Sequence, residues 1–158
     1  LADIIPEQFP ESNYYNHEGK GLPFYQGKKE FGEVLLAEPT VWTESITRES
    51  LKGDILMSVR APVGSVNINP FERICIGRGL TAIRCYEEGL KDWLFYYLKT
   101  NEAIISGHDG ATFSSISRDE INAIIIEVPP ETLQNQFSDY VNATDKLKFK
   151  CLKERLDN

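Results

Sequence analysis

Residues 110–136 read GATFSSISRDEINAIIIEVPPETLQNQ. This stretch indicates where a β-rich domain ends and a long helix begins. A loop of small and hydroxyl residues comes first, and Ser117-x-x-Glu120 then forms a capping-box signature that predicts a brief helix. The apolar run from Ile124 to Val128 is typical of a buried strand. Pro129-Pro130 ends that strand, because proline cannot donate to a β ladder, and we expect one continuous helix from Glu131 onward.

The expected helix at 131–158 carries an apolar repeat. Its members fall at spacings of 4, 3, 4, 3 and 4, which is a heptad seam. They are Leu133, Phe137, Tyr140, Thr144, Leu147 and Cys151. Because a small domain cannot bury so long a stripe, we expect the seam to pack on another helix, in the same polypeptide or in a second copy. Packing against the domain's own sheet is the alternative for the first two turns.

The middle of the chain is expected to be antiparallel, turn-rich β structure. Residues 53–60 alternate side chains with a period of 2, and 65–69 form the return strand after the turn Ala61-Pro62-Val63-Gly64. A second strand pair at 74–85 is interrupted by a kink at Gly77-Arg78-Gly79.

The flanking segments complete an α+β domain. Residues 1–33 show little periodicity and are expected to be irregular, and Trp42 to Leu51 is predicted to form a short helical turn. Leu90 to Glu102 has apolar residues at helical spacing. We therefore predict a twisted, mostly antiparallel β-rich domain with short helices at 1–130, followed by a coiled-coil-type helix at 131–158.

Composition bounds the class of protein. The 158 residues are 41% hydrophobic and 26% charged, as in ordinary globular domains. No apolar run approaches the roughly 20 residues of a membrane span, so we expect no membrane association. The three cysteines, Cys75, Cys85 and Cys151, form no Cys-x-x-Cys pair and are expected to be free thiols in a reducing cytoplasm.

The net charge of −7 argues against nucleic acid at first sight, because phosphate neutralisation supplies much of the affinity for DNA. The distribution of charge matters more than its sum. Residues 55–86 carry a local net charge of +3, from Arg60, Arg73, Arg78 and Arg84 against Glu72. Arginine suits bidentate contact with phosphate and guanine. Local salt bridges between strand residues are the alternative interpretation.

No motif predicts catalysis or a bound cofactor. Residues 77–82 match the G-x-G-x-x-A dinucleotide fingerprint, but a strand instead of a helix is expected next, so the glycines indicate a bulge or a close backbone approach. Asn69-Pro70-Phe71 resembles the Asn-Pro-Pro-aromatic loop of adenine methyltransferases, lacks its second proline, and is interpreted as a β-turn. His17 and His108 have no partner at ligand spacing, so no metal site is predicted.

Two loops carry side chains suited to reading nucleic acid. Residues 25–29 combine an aromatic ring, an amide able to read adenine and two phosphate-seeking lysines. Residues 112–115 supply short hydroxyls and an aromatic ring. Each loop by itself also fits an ordinary surface loop. With two arginines, the candidate DNA contacts are Tyr25, Gln26, Lys28, Lys29, Arg60, Arg78, Thr112, Ser114 and Ser115.

Four blocks, in order along the chain, resemble the DNA specificity subunit of type I restriction-modification systems. They are GLPFYQ at 21–26, LKGDILMSVRAPVG at 51–64, IGRGLTAI at 76–83 and the stretch 110–136. The resemblance covers nearly the whole chain. It implies an α/β recognition domain akin to that of adenine methyltransferases, joined to a long helix. The implied function is non-catalytic, sequence-specific recognition of one half of a bipartite DNA target.

The resemblance also implies partners. A full specificity subunit carries two recognition domains and two helices, whereas this sequence has one of each, so the helix is expected to pair with a second recognition half, in the same chain or in a homodimer. Modification (methyltransferase) subunits and a restriction subunit are the other implied partners, and S-adenosylmethionine, ATP and Mg are expected only there. The alternatives are a degenerate recognition domain that serves as an assembly adaptor, and the recognition domain of a fused restriction-methyltransferase enzyme.

Overall fold

A computed structural model describes residues 1–6, 8, 10–106 and 114–156 of the chain. Within these residues the strands are β1 (Ala2–Ile5), β2 (Tyr15–Asn16), β3 (Leu22–Tyr25), β4 (Trp42–Thr43), β5 (Glu49–Leu51), β6 (Ile55–Ser58), β7 (Val66–Ile68), β8 (Arg73–Ile76) and β9 (Leu80–Cys85). The α-helices are α1 (Glu88–Thr100), α2 (Glu102–Ser106), α3 (Arg118–Asn122) and α4 (Glu131–Leu156), and 3₁₀ turns occur at Ser12–Tyr14 and Lys28–Glu30. The predicted α+β class and the long C-terminal helix are confirmed.

The described strands form two sheets. The first has the order β1-β9-β6-β7 and is antiparallel throughout, with Ile55 opposite both Ile68 and Ile83. The second has the order β2-β4-β3-β8-β5. In it β3 and β8 run parallel, and the other neighbours run antiparallel. The prediction of mostly antiparallel structure is confirmed.

Strand β6 is buried on both faces, because an apolar cluster lies against each. Ile55 and Met57 belong to the larger cluster, together with Phe95 and its neighbours on α1. Leu56 belongs to the smaller cluster, which includes Ile76. Successive side chains of this strand therefore enter two different buried clusters. Burial of apolar surface in these clusters is the main source of the stability of the fold.

Helix α1 confirms the predicted helix and begins two residues earlier than expected. Its buried face consists of Leu90, Leu94, Phe95 and Leu98, which recur at helical spacing. The helix ends at Thr100, the side-chain amide of the following Asn101 donates to the carbonyl oxygen of Tyr97 at 2.8 Å, and α2 follows. No helix among the described residues is long and apolar enough to span a membrane.

The prediction of a buried strand at Ile124 to Val128 is wrong. This segment forms no strand and pairs with none in the described part of the chain. Ile124 and Ile126 pack onto the larger apolar cluster, whereas Ile125 is 92% exposed. The apolar run therefore reflects packing of alternate residues on side chains, without a backbone ladder.

The prediction of a helical turn between Trp42 and Leu51 is also wrong, because both ends of this segment are strands. Strand β4 lies between β2 and β3, with Thr43 opposite both Tyr15 and Leu22. The Thr43 hydroxyl does accept from the backbone N–H of Ser45 at 3.1 Å, but it shapes a turn and not a helix N-terminus.

Two smaller predictions are confirmed. Ser117 and Glu120 form a capping box at the start of α3, in which each side chain accepts from the other residue's backbone N–H. Asn69 makes a turn, since its side-chain oxygen accepts from the N–H of Phe71 at 2.9 Å. Asn69 is fully buried and its amide nitrogen donates to Ser50, so this residue serves the fold.

Candidate nucleic-acid interface

The parallel pair β3 and β8 brings two loops side by side. Phe24 lies opposite Cys75 and Tyr25 opposite Ile76, and the N–H of Gly77 donates to the Tyr25 carbonyl oxygen at 2.8 Å. Because parallel strands end at the same edge of a sheet, the loop that begins at Gln26 and the loop at 77–79 leave the sheet together. Ligand sites commonly form at such carboxyl ends.

Glycines let the two loops touch. A Cβ atom on Gly77 would lie 3.0 Å from the Phe24 ring and 3.3 Å from Cγ of Gln26. A Cβ atom on Gly79 would collide with the Gln26 backbone. The close backbone approach predicted from Gly77-Arg78-Gly79 is therefore confirmed, and β9 follows it directly as a strand, where a dinucleotide fold would place a helix.

A third loop joins them from the first sheet. Ser58, at the end of β6, lies opposite Leu80 at the start of β9, and the N–H of Val59 donates to the Gly79 carbonyl oxygen at 3.0 Å. The Ser58 hydroxyl lies 2.9 Å from the carbonyl oxygens of both Arg60 and Pro62, so it holds the turn that carries Arg60.

Residues 114–116 attach to this third loop. Arg60 and Ser115 form an isolated antiparallel bridge, and the N–H of Ala61 donates to the Ser114 carbonyl oxygen at 3.1 Å. The N–H of Ile116 donates to the Val59 carbonyl oxygen at 3.0 Å. Ser114 and Ser115 are both exposed, and Ser115 lies directly opposite Arg60 in the bridge.

The three loops enclose a cleft of about 700 Å³. Its lining is Gln26, Gly27, Lys28, Lys29, Ser58, Arg60, Ala61, Pro62, Arg78 and Gly79, which includes four cationic side chains and no carboxylate. Just outside it, Glu30 lies 3.6 Å from the Lys29 ammonium, whose side chain is still 81% exposed. An open cleft lined by one sign of charge attracts a polyanion, whatever the net charge of the chain.

The structure brings together most of the predicted DNA contacts. Gln26, Lys28, Lys29, Arg60 and Arg78 all line the cleft, and Ser114 and Ser115 flank it. Thr112 lies outside the described residues.

Tyr25 must be removed from the candidate contacts. Its side chain is fully buried in the smaller apolar cluster, and its hydroxyl donates to the Ala37 carbonyl oxygen at 2.7 Å. Burial is the main cause that raises the pKa of this phenol well above its usual value, and the charges of Glu38 and Glu30 add to it. The residue before Gln26 therefore anchors the strand, because alternate positions of a strand point in opposite directions.

Two of the four arginines that gave the middle of the chain its positive charge serve the fold. Arg73 makes a bidentate ion pair with Glu49, at 2.8 and 3.0 Å. Arg84 makes another with Asp54, at 2.9 and 2.8 Å, and that carboxylate is only 4% exposed. The salt-bridge interpretation is correct for these two, whereas Arg60 and Arg78 line the cleft.

A smaller depression of about 150 Å³ adjoins the cleft, and sequence reasoning missed it. Its walls are Pro10, Tyr15, Phe24, Gln26, Gly77 and Arg78, so it shares Gln26 and Arg78 with the cleft. The Tyr15 ring lies against Phe24, with centroids 4.6 Å apart. Tyr15 sits in a segment without periodicity, and only the pairing of β2 with β4 brings it here.

Helix α4 packs on α1 along a face that includes only part of the predicted seam. Gln134 is 5% exposed and donates to the Pro129 carbonyl oxygen at 2.8 Å. The Phe137 ring meets the edge of Tyr96, with centroids 5.7 Å apart. The Ser138 hydroxyl donates to the Asp92 carboxylate. The helix is therefore held by its own domain through at least its first two turns.

The residues of the predicted seam therefore differ in their exposure to solvent. Its members Phe137 and Thr144 are partly buried within the chain, so they are not part of a free pairing face. Leu133, Tyr140 and Leu147 are 53%, 70% and 64% exposed, and Cys151 is exposed as well. The reason is that the seam consists of two alternating heptad positions on neighbouring lines of the helix surface, and α1 lies against the side that carries Phe137.

Comparisons with a family model, with a curated protein and with solved structures agree with one another. Residues 41–158 match the family model described as type I restriction modification DNA specificity domain. Over 148 residues the chain is 41% identical to a Methanocaldococcus jannaschii protein named as the specificity subunit of the type I restriction enzyme MjaX. That match covers 91% of this chain and 34% of that protein, so the chain spans about a third of its relative's length.

Solved structures are also similar. The HsdS subunit from Thermoanaerobacter tengcongensis matches with 36% identity and a TM-score of 0.79, over 98% of this chain and 37% of that one. A chain from work on complex assembly and conformational transition of the type I R-M system matches with 37% identity and a TM-score of 0.79, over 98% and 38%. The S subunit from M. genitalium, at 16% identity, a TM-score of 0.67 and coverage of 92% and 37%, shares the fold. The chain belongs to the family of type I restriction-modification DNA specificity domains.

Proposed function

We propose that this chain recognises one half of a bipartite double-stranded DNA target for a type I restriction-modification complex. The observation that carries the proposal is the cleft, where three loops converge and place four cations without a carboxylate in its lining. Ammonium and guanidinium groups bind phosphates, and an amide and a guanidinium can also read base edges. The family to which the chain belongs supports the same function.

We infer that the chain itself performs no catalysis. Within the described residues no group of His, Cys, Asp and Glu side chains is arranged to hold a metal ion. Methylation and cleavage would be supplied by modification and restriction subunits, which would carry S-adenosylmethionine, ATP and Mg. Such a complex acts on DNA, which implies that the chain works in the cytoplasm.

The domain at 1–130 and the helix from Glu131 would have different roles, because their surfaces differ. Residues 1–130 would contact DNA, and the helix from Glu131 would set the distance to a second recognition half and help to recruit the other subunits. The exposed apolar side chains of α4, Leu133, Tyr140 and Leu147, suit contact with another helix. That second half would lie in the same polypeptide or in a second copy of the chain.

The second candidate function is an assembly adaptor that does not bind DNA. The net charge of −7 favours it, because overall negative charge repels a polyanion at long range. The cleft favours DNA instead, since local positive charge in a concave site acts over the Debye length of about 8 Å at physiological salt.

The test is a titration against random-sequence duplex DNA at two salt concentrations, with and without a modification subunit. The triple variant K28A/K29A/R60A is compared with K20A/K52A, whose lysines are exposed and paired with Glu18 and Glu72 away from the cleft. We expect the cleft variant to lose affinity and to reduce the slope of log K against log salt by about 0.9 per lost phosphate contact. Equal affinities for both variants, or no enriched half-site motif in the partnered sample, would support the adaptor.

A further inference from the structure

The cationic and amide side chains of the cleft are not equally placed to read bases. Lys28 and Lys29 lie on the single 3₁₀ turn that follows the loop, and the Lys29 side chain is 81% exposed. Lysine is a flexible point charge without acceptors, which suits phosphate better than a base edge. Gln26 and Arg78 instead follow the ends of two hydrogen-bonded strands, and both line the cleft.

Packing fixes the backbones that carry Gln26 and Arg78. Arg78 stands between two glycines that approach Phe24 and Gln26 too closely to carry a Cβ atom without displacement. The Gly77 N–H and the Tyr25 carbonyl oxygen join the two strand ends at 2.8 Å. A side chain that discriminates between bases must start from a backbone held in this way, because bidentate contacts tolerate little displacement.

Tyr15 lines the adjoining depression together with the same two side chains. Its hydroxyl donates to the Pro10 carbonyl oxygen at 3.1 Å, and its ring rests on Phe24. Burial raises the pKa of the Tyr15 phenol, while hydrogen bonding with Gln26 and the positive charge of Arg78 both oppose that rise. Tyr15 is therefore in a position to orient the Gln26 amide beside the Arg78 guanidinium.

We propose that Gln26 and Arg78 form the base-reading pair of this cleft, with Tyr15 as the positioning residue, and that the half-site contains an adenine and a guanine in neighbouring base pairs. Glutamine pairs in a bidentate manner with adenine N6 and N7, and arginine with guanine O6 and N7. Side chains from adjacent strands start about 4.8 Å apart. Successive base pairs are separated by about 3.4 Å, so side chains that start at this separation can reach neighbouring base pairs.

This inference rests on the proposed function, and its test measures base preference separately from affinity. The full chain, with its modification subunit, is used to select from a random-sequence duplex library, and the bound sequences are read. The variants are Q26A, R78K and Y15F, with K29A as the matched control inside the cleft. Thermal unfolding of each variant checks that the fold is intact.

We expect R78K to keep the salt dependence, since the charge is retained, and to reduce the preference for guanine at one position by about 5- to 150-fold. Q26A should relax the preference for adenine at the neighbouring position. Y15F should weaken that adenine preference with an unchanged melting temperature, whereas a purely structural role would lower the melting temperature and leave the preference intact. K29A should weaken binding to all sequences alike.

Two outcomes separate this inference from the proposed function. If the wild-type chain enriches a motif that Q26A and R78K leave unchanged, the base-reading pair is refuted and the DNA-binding function stands. If the wild-type chain with its modification subunit enriches no motif, both are refuted.

Discussion

A Cβ atom on Gly79 would lie 2.2 Å from the carbonyl oxygen of Gln26. Real Cβ atoms do not approach an oxygen so closely, so glycine at this position is a requirement of the fold. The contact joins the loop after β8 to the loop after β3, and both loops line the cleft. Packing between two backbones therefore fixes where the side chains of Gln26 and Arg78 start.

Replacing Gly79 should disturb the cleft without unfolding the domain. We expect G79A to lower the free energy of unfolding by about 1–3 kcal/mol, which is typical of overpacking, and to weaken DNA binding. The control is G27A, because a Cβ atom on Gly27 meets nothing within 4 Å. Urea denaturation measures the stability of both variants. A G79A variant as stable as G27A would show that the two loops separate at little cost.

The exposed face of α4 can be tested separately from its buried face. The double change Y140E/L147E should alter the free energy of unfolding by no more than about 0.5 kcal/mol, as for ordinary surface positions. It should nevertheless abolish association with a second recognition half, because it places charge on the exposed apolar side of the helix. F137A should leave the association unchanged. It should lower the free energy of unfolding by about 1–3 kcal/mol, because the contact of Phe137 with Tyr96 is lost.

Sedimentation velocity and thermal unfolding distinguish these variants of α4. Pairing that survives in Y140E/L147E but fails in F137A would mean that the helix leaves α1 in order to pair.

The ion pair between Glu49 and Arg73 should make stability depend on pH in the acid range. The hydrogen bonds from Arg73 hold the pKa of Glu49 below its ordinary value of 4.5. A carboxylate whose folded pKa is lowered stabilises the protein above the unfolded pKa, and this contribution is lost as the pH falls through the folded pKa. The difference in unfolding free energy between wild type and E49Q should therefore be constant above about pH 5.5 and vanish below the folded pKa.

Denaturation curves of wild type and E49Q at several pH values measure that difference, with E72Q as a control for a more exposed ion pair. A difference that grows as the pH falls would contradict the assigned direction.

The three cysteines should react with thiol reagents at very different rates. Cys151 is exposed, and Cys75 is fully buried. Burial, with a smaller contribution from the charge of Asp54, raises the pKa of Cys85 to about 11. Because the thiolate is the reactive form, Cys85 should react on the order of a hundredfold more slowly than an ordinary exposed cysteine near pH 8.

Spectrophotometric thiol titration should thus show one fast thiol per chain, which C151S removes. A fast phase that persists in C151S would contradict the assignment. Burial of Cys151 by a second helix should slow the same phase, so the rate also reports pairing.

Local patterns in the sequence were sufficient for several parts of the structure. Residues 55–58 show the period of a strand, Ser117 and Glu120 show the capping box, and Glu131 begins a helix where expected. These features depend on hydrogen bonds and packing between neighbours in the chain, which is why sequence alone predicts them. The same reasoning failed at 124–128, because a short apolar run is equally consistent with packing on side chains and with pairing to a strand.

The candidate site shows the limit of that reasoning. The sequence by itself determined the residue types suited to DNA, the family resemblance and the presence of the long helix. Only the tertiary structure decided that Tyr25 is in the core while Gln26 faces the cleft, that Arg84 is paired with Asp54 while Arg78 lines the cleft, and that Tyr15 joins them. The physical reason is that the cleft is made by the parallel pairing of β3 with β8, between residues about 50 positions apart, and no local periodicity encodes that pairing.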